Sequence, residues 1–209
     1  MVYLYIVRHG ETEWNKEERI QGRLNSSLTT KGKEYAKLLS ERLKDTEFDH
    51  ILSSPSERTL ETAQLIKGNR NIRIRTDERI MEMHMGPWQG MKKTEIKALY
   101  PYEYDHFMNK PDGYRNKGAE SFVDMNKRAV DFLNEIRSRK ISGNLLVVTH
   151  GLFIKSLYLL FKGIDLKEIW TEPTVEGTSL TIVKIDHDRI ELILEGDMSH
   201  VKGKEVLSY

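Results

Sequence analysis

Two strongly apolar segments of this chain end in the same way, in a histidine followed by a glycine. Residues 2–7 form an apolar run of strand-forming residues, after which the chain continues as Arg8-His9-Gly10. The run 145–149 is apolar almost throughout, as in a strand buried on both faces, and His150-Gly151 follows it. The carboxyl ends of parallel strands meet at one edge of a sheet, where ligands bind. We therefore expect a fold that brings both histidines to the same edge.

The remaining sequence alternates between helical and extended patterns. Apolar residues spaced three and four apart after a capping residue indicate helices, and short apolar runs indicate strands. Helices are predicted from Thr29 or Thr30 to Leu43, from a Ser54 cap to Leu65, from Ser121 to Ile136 and over 152–161. Further strands are predicted at 48–53, 71–76, 179–185 and 189–195, the last two joined by a hairpin-like turn at 186–188. The segments 14–25 and 79–90 are predicted to be loops.

This alternation predicts an α/β fold, a three-layer sandwich with a mostly parallel central sheet. A chain of 209 residues suits one well-packed domain, and no linker interrupts residues 1–209. Residues 85–118 hold weak helical patterns that Pro101 and Pro111 break, and we interpret this segment as an excursion inserted near the sheet edge.

Composition excludes several classes of protein. The formal net charge of +1 gives no basic excess of the kind that marks nucleic-acid binders. The absence of cysteine excludes disulfides, iron–sulfur clusters, thiolate zinc sites and cysteine nucleophiles. The first residues carry no basic leader, and the later apolar run 157–161 is too short to span a bilayer. We expect a soluble, cytoplasmic protein that binds neither nucleic acid nor membranes.

Cations accompany the two histidines at the predicted sheet edge. Arg8 precedes His9, and Arg58 falls in the first turn of the helix that follows strand 48–53. Helix N-termini with free N–H groups begin at the same edge, and guanidinium groups suit phosphoryl or carboxylate oxygens. Each of these residues alone is more commonly a packed or solvated side chain. Their combination predicts an anion site.

The motifs that carry these residues resemble a known family. Arg8-His9-Gly10-Glu11-Thr12 with Trp14-Asn15 resembles the signature of the histidine phosphatase superfamily, phosphoglycerate-mutase-like branch. The resemblance continues in order through most of the chain: Gln21-Gly22, Leu28-Thr29, Ser53-Ser54-Pro55, Arg58-Thr59, Glu61-Thr62-Ala63, Glu82 with Gly86, Trp88 and Gly90, then Gly118, Glu120, Ser121 and finally Thr149-His150-Gly151. The first motif alone is fairly specific, and the complete ordered set is very specific.

The resemblance implies a cofactor-independent phosphomonoesterase that acts on small phosphate esters. His9 would attack phosphorus in line and form a phosphohistidine, with Arg8, Arg58 and His150 as catalytic groups around the equatorial oxygens. Glu82 would protonate the departing oxygen and then take a proton from the attacking water. The implied substrate-binding set is Arg8, Asn15, Gln21, Gly22, Arg58, His150 and Gly151.

Three alternatives stay open at this point. The same site serves phosphoglycerate mutases, although those are usually longer and commonly have Ala where this chain has Thr149. A non-catalytic phospho-ligand binding protein is disfavoured because the catalytic set is complete. A zinc site at His9, His84 and His150 is disfavoured because the chain lacks a local histidine pair and the arginines would repel a cation. No metal or cofactor is predicted, and no feature indicates the oligomeric state.

Two features near the site have no single interpretation from sequence. Gln89 stands where many relatives carry glutamate, which is a departure from the family pattern. The predicted excursion mixes aromatic and cationic side chains, which could either receive the leaving group of a range of phosphate esters or pack locally. These side chains are Trp88, Tyr100, Tyr102, Tyr104, Phe107, Tyr114, Lys92, Lys93, Lys110 and Arg115.

Overall fold

A computed structural model describes residues 1–138, 141–186 and 189–201 of the chain. Its strands are β1 (Val2–Arg8), β2 (His50–Ser53), β3 (Ile74–Thr76), β4 (Gly143–Thr149), β5 (Leu180–Asp186) and β6 (Arg189–Asp197). Its α-helices are α1 (Glu13–Lys16), α2 (Thr30–Arg42), α3 (Glu57–Lys67), α4 (Lys93–Leu99), α5 (Pro101–Asn109), α6 (Phe122–Ser138) and α7 (Gly151–Lys162). Single 3₁₀ turns lie at Glu78–Ile80, Gly86–Trp88, Pro111–Gly113, Leu166–Glu168 and Ser199–Val201.

The six described strands form one sheet in the order β3-β2-β4-β1-β5-β6. The pairs β3–β2, β2–β4 and β4–β1 are parallel, whereas β5 is antiparallel to both β1 and β6. The mostly parallel sheet predicted from the strand–helix alternation is therefore confirmed. The two C-terminal strands also pair as predicted, but His187 and Asp188 of the predicted turn lie outside the described residues.

Helices cover both faces of the sheet, which makes the predicted three layers. Because side chains alternate along a strand, Leu4 and Ile6 of β1 pack in one apolar cluster with α6 and α7, while Val7 packs in a second with α2 and α3. Neighbouring β4 divides in the same way, with Leu145 and Val147 on one face and Leu146 and Val148 on the other. Both central strands are thus buried on two faces, as their apolar sequences predict.

The register of the parallel strands brings three chain segments to one edge. Arg8 lies opposite Thr149 in the β1–β4 pair, and Ser53 lies opposite Val148 in the β2–β4 pair. The ladder extends one residue further on each side, since the amide of His9 donates to the Thr149 carbonyl at 2.9 Å and that of Ser54 to the Val148 carbonyl at 3.0 Å. His9, Ser54 and His150 therefore leave the sheet side by side.

Two local predictions are wrong. The N-cap of α3 is Ser56 and not Ser54, because the Ser54 hydroxyl bonds to His150 instead. The segment 14–25 is not wholly a loop, since α1 forms within its start. Thr12 caps α1 through a reciprocal capping box with Asn15, which satisfies backbone N–H groups that a short helix leaves free. Arg58 still falls in the first turn of α3, as predicted.

The predicted excursion contains two helices, α4 and α5. Pro101 does not break them but begins α5, where a proline ring is tolerated because the first helical N–H has no partner. The aromatic side chains pack around Trp88, whose ring centroid lies 5.5 Å from that of Phe107 and 5.6 Å from that of Tyr114. Local packing therefore accounts for part of this aromatic set.

No helix in the described part of the chain is long and apolar enough to cross a membrane.

The burial of β1 leads to a stability prediction. Ile6 is fully buried at the centre of the sheet, whereas Ile193 of β6 is 48% exposed. We expect Ile6→Ala to lower the free energy of unfolding in urea by about 2–5 kcal/mol because it opens a cavity. The same change at Ile193 leaves no cavity, so we expect it to cost less than about 1 kcal/mol. Equal losses at the two positions would contradict the described packing.

Candidate active site

A cleft of about 470 Å³ opens where β1 and β4 end. Most of the predicted site residues line it: Arg8, His9, Asn15, Gln21, Gly22, Arg58, Glu82 and Gly151. His150 lies directly behind this lining and is buried, with its ring centroid 5.3 Å from that of His9. The residues that the sequence places at one edge are therefore brought together.

The hydrogen bond made by His9 orients its imidazole. His9 is 3% exposed, and its Nδ1 lies 2.8 Å from the carbonyl oxygen of Gly10. Because a carbonyl only accepts, Nδ1 carries the proton and Nε2 keeps its lone pair. The Gly10 amide in turn donates to the Thr62 hydroxyl of α3 at 3.0 Å, which ties this turn to the neighbouring helix.

Both ring nitrogens of His150 have protein partners. Arg58 Nη2 lies 3.1 Å from Nδ1, and Ser54 Oγ lies 2.8 Å from Nε2. A guanidinium only donates, so Nδ1 accepts and the proton resides on Nε2, which donates to Ser54. Sequence reasoning treated Ser54 as a helix cap and missed this contact. The signal available was its position, immediately after β2 at the same sheet edge.

Arg58 is a buried cation held by backbone oxygens. Its side chain is 1% exposed, with Nη1 donating to the Leu24 carbonyl at 2.7 Å and Nη2 to the Gly22 carbonyl at 2.8 Å. These bonds join α3 to the loop that follows α1. Burial lowers the pKa of Arg58 to about 10, with Glu82 opposing the shift, so Arg58 stays charged near neutral pH.

Arg8 and Arg58 each keep one buried donor without a protein partner. Arg8 Nη1 donates to the Val175 carbonyl at 2.7 Å, and burial lowers the pKa of Arg8 against the opposing charges of Glu82, Glu176 and Glu11. Within the described residues, Nε of both arginines is buried and unpaired. An unpaired buried donor is costly unless an acceptor reaches it. Both arginines line the cleft together with His9, so their positive charges suit the oxygens of an anion.

The Glu82 carboxylate stands on the cleft wall at the start of α7. Its Oε1 accepts from the Met83 amide at 2.9 Å, and its Oε2 accepts from the Leu152 amide at 3.3 Å. The second bond uses an N–H of the first turn of α7, where the helix dipole favours a negative charge. The carboxylate is therefore oriented by backbone groups and faces the same cleft as His9.

Thr12 organises the two amide side chains of the cleft. Its amide and hydroxyl both donate to Asn15 Oδ1, at 3.0 and 2.9 Å, and its hydroxyl accepts from Gln21 Nε2 at 2.8 Å. Since the oxygen of Asn15 is occupied, its Nδ2 is the group left to donate to a ligand.

The side chain of Gln89 connects two loops of the site. Its Oε1 accepts from the Arg23 amide at 2.8 Å and from the Met85 amide at 3.3 Å. It thereby joins the loop of Gly22 to the loop of Glu82. Gly22 has a left-handed φ of +53°, and a Cβ there would approach Gln89 Oε1 to 2.4 Å. Any larger residue at position 22 would break this junction.

The loop that carries Glu82 is held by an ion pair that sequence reasoning did not assign. Glu120 and Arg128 are mostly buried and pair at 2.6 Å, and Arg128 Nη1 donates to the Met81 carbonyl at 2.7 Å. Glu120 Oε2 also accepts from the His84 amide at 3.1 Å. Thr149 adds a further tie, because its buried hydroxyl donates to the Ile80 carbonyl at 2.6 Å.

Burial and the nearby arginine charges keep both imidazoles neutral. Burial is the largest cause that lowers the pKa of His9 well below its usual value, followed by the charges of Arg58 and Arg8. The pKa of His150 is lowered in the same way, by burial and then by Arg58 and His9. A neutral imidazole retains the lone pair that a nucleophile needs.

These lowered pKa values predict a loss of stability on mild acidification. Histidine in the unfolded chain has a pKa of about 6.5, so below that pH the unfolded chain binds protons that folded His9 and His150 do not. The two histidines therefore do not reduce the free energy of unfolding above pH about 6.5. Between that pH and pH 5.5, the free energy of unfolding should fall by about 1 kcal/mol per histidine. Urea unfolding across this range measures it. The decrease should shrink in His150→Gln, and a flat profile in the unchanged protein would contradict the described electrostatics.

No cluster of three or more histidine or acidic side chains with a metal-binding arrangement occurs in residues 1–138, 141–186 and 189–201. The His84 amide donates to Glu120, and the His84 side chain is not part of the cleft lining that contains His9.

Comparison with known proteins gives the same assignment along the chain. The family model of the histidine phosphatase superfamily (branch 1) matches residues 4–197. Phosphoserine phosphatase 1 of Hydrogenobacter thermophilus is 36% identical over 171 residues, which cover 82% of this chain and 81% of that protein. Phosphoglycerate mutase-like protein 4 of Arabidopsis thaliana is 32% identical over 203 residues, covering 95% and 86%.

A solved structure extends this agreement to the fold. Bacillus stearothermophilus YhfR superposes with a TM-score of 0.92 at 40% identity, covering 96% of this chain and 99% of that one. The sheet order, the paired histidines and the arginines at the strand ends thus occur in a chain that matches the family model almost throughout. This protein belongs to the histidine phosphatase superfamily, branch 1.

Proposed function

We propose that this protein hydrolyses small phosphate monoesters through a phosphohistidine on His9, without a metal or cofactor. The observation that carries the proposal is the state of His9 itself. Its Nδ1–H is committed to the Gly10 carbonyl, and Nε2 is left as a neutral nucleophile in a cleft with Arg8 and Arg58. The superfamily membership and the phosphatase names among the relatives support the same reaction. We further propose that residues 1–209 form one such domain.

The first step is attack of His9 Nε2 on the phosphorus atom. A bond forms between Nε2 and phosphorus while the ester P–O bond breaks, and Glu82 supplies a proton to the departing oxygen. Arg8 and Arg58, which line the cleft beside His9, would then donate to the equatorial oxygens, and Asn15 Nδ2 adds a neutral donor. The same interactions hold the phosphoryl group during the second step.

The second step returns the enzyme to its starting state. Water attacks phosphorus on the opposite side, Glu82 accepts the proton from that water, and the phosphorus–Nε2 bond breaks. Inorganic phosphate leaves and Nε2 regains its lone pair. We assign His150 to the support of Arg58, since its Nδ1 lies 3.1 Å from Arg58 Nη2, and of the phosphoryl site that Arg58 builds.

The leaving group occupies the remaining wall of the cleft. Aromatic and aliphatic side chains form most of this wall, including Trp88, Tyr104, Phe107 and Trp170. Apolar contact does not demand one orientation of the leaving group, so we propose acceptance of several small phosphorylated metabolites over strict selection of one.

A phosphoglycerate mutase is the second candidate. Three further cations, Arg19, Lys93 and Lys155, line the cleft besides Arg8 and Arg58, and a mutase must hold a second anionic end of its substrate. Against it, Thr149 replaces the alanine common in mutases and uses its hydroxyl to hold the Glu82 loop. Primer-dependent conversion of 3-phosphoglycerate to its 2-isomer, faster than phosphate release, would replace the phosphatase proposal with the mutase.

The nucleophile assignment leads to a direct test. The purified protein should release p-nitrophenol from p-nitrophenyl phosphate in the presence of EDTA, and His9→Ala should abolish turnover because the P–N bond cannot form. His84→Ala is the matched control, since that ring lies outside the cleft lining and should leave kcat unchanged. Turnover that survives in His9→Ala, or that EDTA removes, would contradict the proposal.

The role of Glu82 is tested by varying the leaving group. We expect Glu82→Gln to slow hydrolysis of an alkyl phosphate by about 10²-fold or more, because a poor leaving group needs its proton in the transition state. p-Nitrophenyl phosphate should be affected far less, since its leaving group departs without that proton.

Glu172→Gln provides the control for this comparison. Glu172 is another carboxylate that lines the cleft, and it holds the Thr174 amide at 2.6 Å. Its replacement should change the rates for both esters by the same small factor. Equal losses for the two esters in Glu82→Gln would show that Glu82 does not act as the acid.

A further inference from the structure

A second set of contacts holds the nucleophile motif from the side away from α3. Residues 171–179, which precede β5, run past the end of β1, and we call them the 171–179 segment. The Val175 carbonyl of this segment accepts from Arg8 Nη1 at 2.7 Å. The Thr178 amide donates to the Arg8 carbonyl at 3.0 Å and approaches the His9 carbonyl at 3.4 Å. One short segment therefore contacts both the guanidinium of Arg8 and the backbone of His9.

The segment lies so close to the motif that a side chain at position 177 would crowd the backbone of the motif. A Cβ on Gly177 would come within 3.0 Å of the Glu11 amide nitrogen and 3.4 Å of the Gly10 carbonyl carbon and of the His9 carbonyl oxygen. Gly10 is the residue whose carbonyl accepts from His9 Nδ1. The 171–179 segment thus packs directly against the peptide groups that set the orientation of the His9 ring.

Thr178 holds this position in a strained conformation. Its φ is +65°, a left-handed value that a β-branched residue rarely adopts, and its side chain is fully buried. Strain of this kind persists only where the surroundings enforce it, and it concentrates at functional sites. The neighbouring Ser179 amide donates to the Glu176 carbonyl at 3.1 Å, which closes a turn around Thr178.

The side chain that secures Thr178 comes from the last described turn of the chain. His200 Nε2 lies 3.0 Å from Thr178 Oγ1, while its Nδ1 is buried without a partner in the described residues. Burial and the charge of Arg42 lower the pKa of His200 to about 4, so the ring is neutral near pH 7. The turn itself is anchored by Asp197, which accepts from the Ser199 amide at 2.9 Å and pairs with Arg42 of α2.

We infer that His200 is a positioning residue for the nucleophile and acts through Thr178. Its bond to the Thr178 hydroxyl keeps that residue in the left-handed conformation, so that the Thr178 amide holds the peptide groups of Arg8 and His9. These in turn keep the Gly10 carbonyl on His9 Nδ1 and Nε2 directed into the cleft. The inference rests on the proposed function, in which His9 Nε2 is the attacking atom.

The experiment removes the bond without removing the bulk of either partner. We expect His200→Phe and Thr178→Val each to lower kcat for p-nitrophenyl phosphate by about tenfold, because even a small displacement of a nucleophile lowers the reaction rate strongly. KM should change little, since neither residue lines the cleft. His200→Gln, which retains a polar group able to bond to the hydroxyl, should recover most of the rate.

A double variant distinguishes positioning from packing. Glycine adopts a positive φ without strain, so Thr178→Gly no longer needs the bond from His200. The rate of Thr178→Gly/His200→Phe should therefore exceed that of His200→Phe alone. Failure of this rescue, or an unchanged kcat in both His200→Phe and Thr178→Val, would overturn the inference.

Tyr158→Phe is the matched control. It removes another buried hydroxyl pair, the one between Tyr158 and Thr181 at 2.6 Å on β5, without touching the 171–179 segment. It should lower the melting temperature and leave kcat unchanged. A loss of kcat in Tyr158→Phe as large as that in His200→Phe would show that general destabilisation explains both.

An NMR measurement tests the inference independently of catalysis. The Nδ1–H of His9 should give a slowly exchanging proton signal, assigned by its loss in His9→Ala, and this signal should broaden or vanish in His200→Phe. A signal that is the same in His200→Phe and unchanged protein would overturn the inference. Absence of turnover in the unchanged protein would contradict the proposed function only, because the NMR comparison does not depend on it.

Discussion

The parallel pairing of β1 with β4 is the interaction on which the rest of the site depends. It sets Arg8 opposite Thr149, so the residues that follow, His9 and His150, leave the sheet beside each other. The pairing of β2 with β4 places Ser54 next to His150 in the same way. A register shift of one residue would turn these side chains to the other face of the sheet. The backbone ladder between β1 and β4 and the packing of helices on both faces of the sheet hold the observed register.

The buried charges of the site lower the stability of the folded protein, and the packing of the surrounding sheet must offset this loss. Two buried arginines stand beside two buried histidines, and burial together with the arginine charges lowers the pKa of both imidazoles. Hydrogen bonds to backbone carbonyls help to hold this cluster, since Arg58 donates to the Leu24 and Gly22 carbonyls and Arg8 donates to the Val175 carbonyl. Both arginines also line the cleft in which the proposed reaction places negative charge.

The sequence predicted the parts of this protein that local pattern controls. The strands, most helix ends and the set of residues at the sheet edge follow from periodicity, capping and the family motifs. Ser54 was misassigned because a serine before Pro55 fits a helix cap equally well until His150 arrives from a distant strand. The short helix α1 was missed because its capping box joins Thr12 to Asn15 within a polar stretch with no apolar period.

The supporting contacts could not be predicted because they join segments far apart in the chain. Arg128 reaches the Met81 carbonyl across 47 positions, and His200 reaches Thr178 across 22. Neither contact has a local spacing rule that would mark it in a sequence. The role of Gln89 could not be predicted for the same reason, because it depends on hydrogen bonds from the distant amide of Arg23 and from the amide of Met85.

The central claim is that His9 carries the phosphoryl group between two chemical steps. The most direct test is to stop the reaction with an aryl phosphate in alkali during the first turnover and to map the bound phosphate by mass spectrometry. The account predicts a phosphoryl group on the peptide that contains His9, stable in alkali and lost in acid, and absent from His9→Ala. Turnover with no such adduct, or an adduct on any other residue, would contradict it.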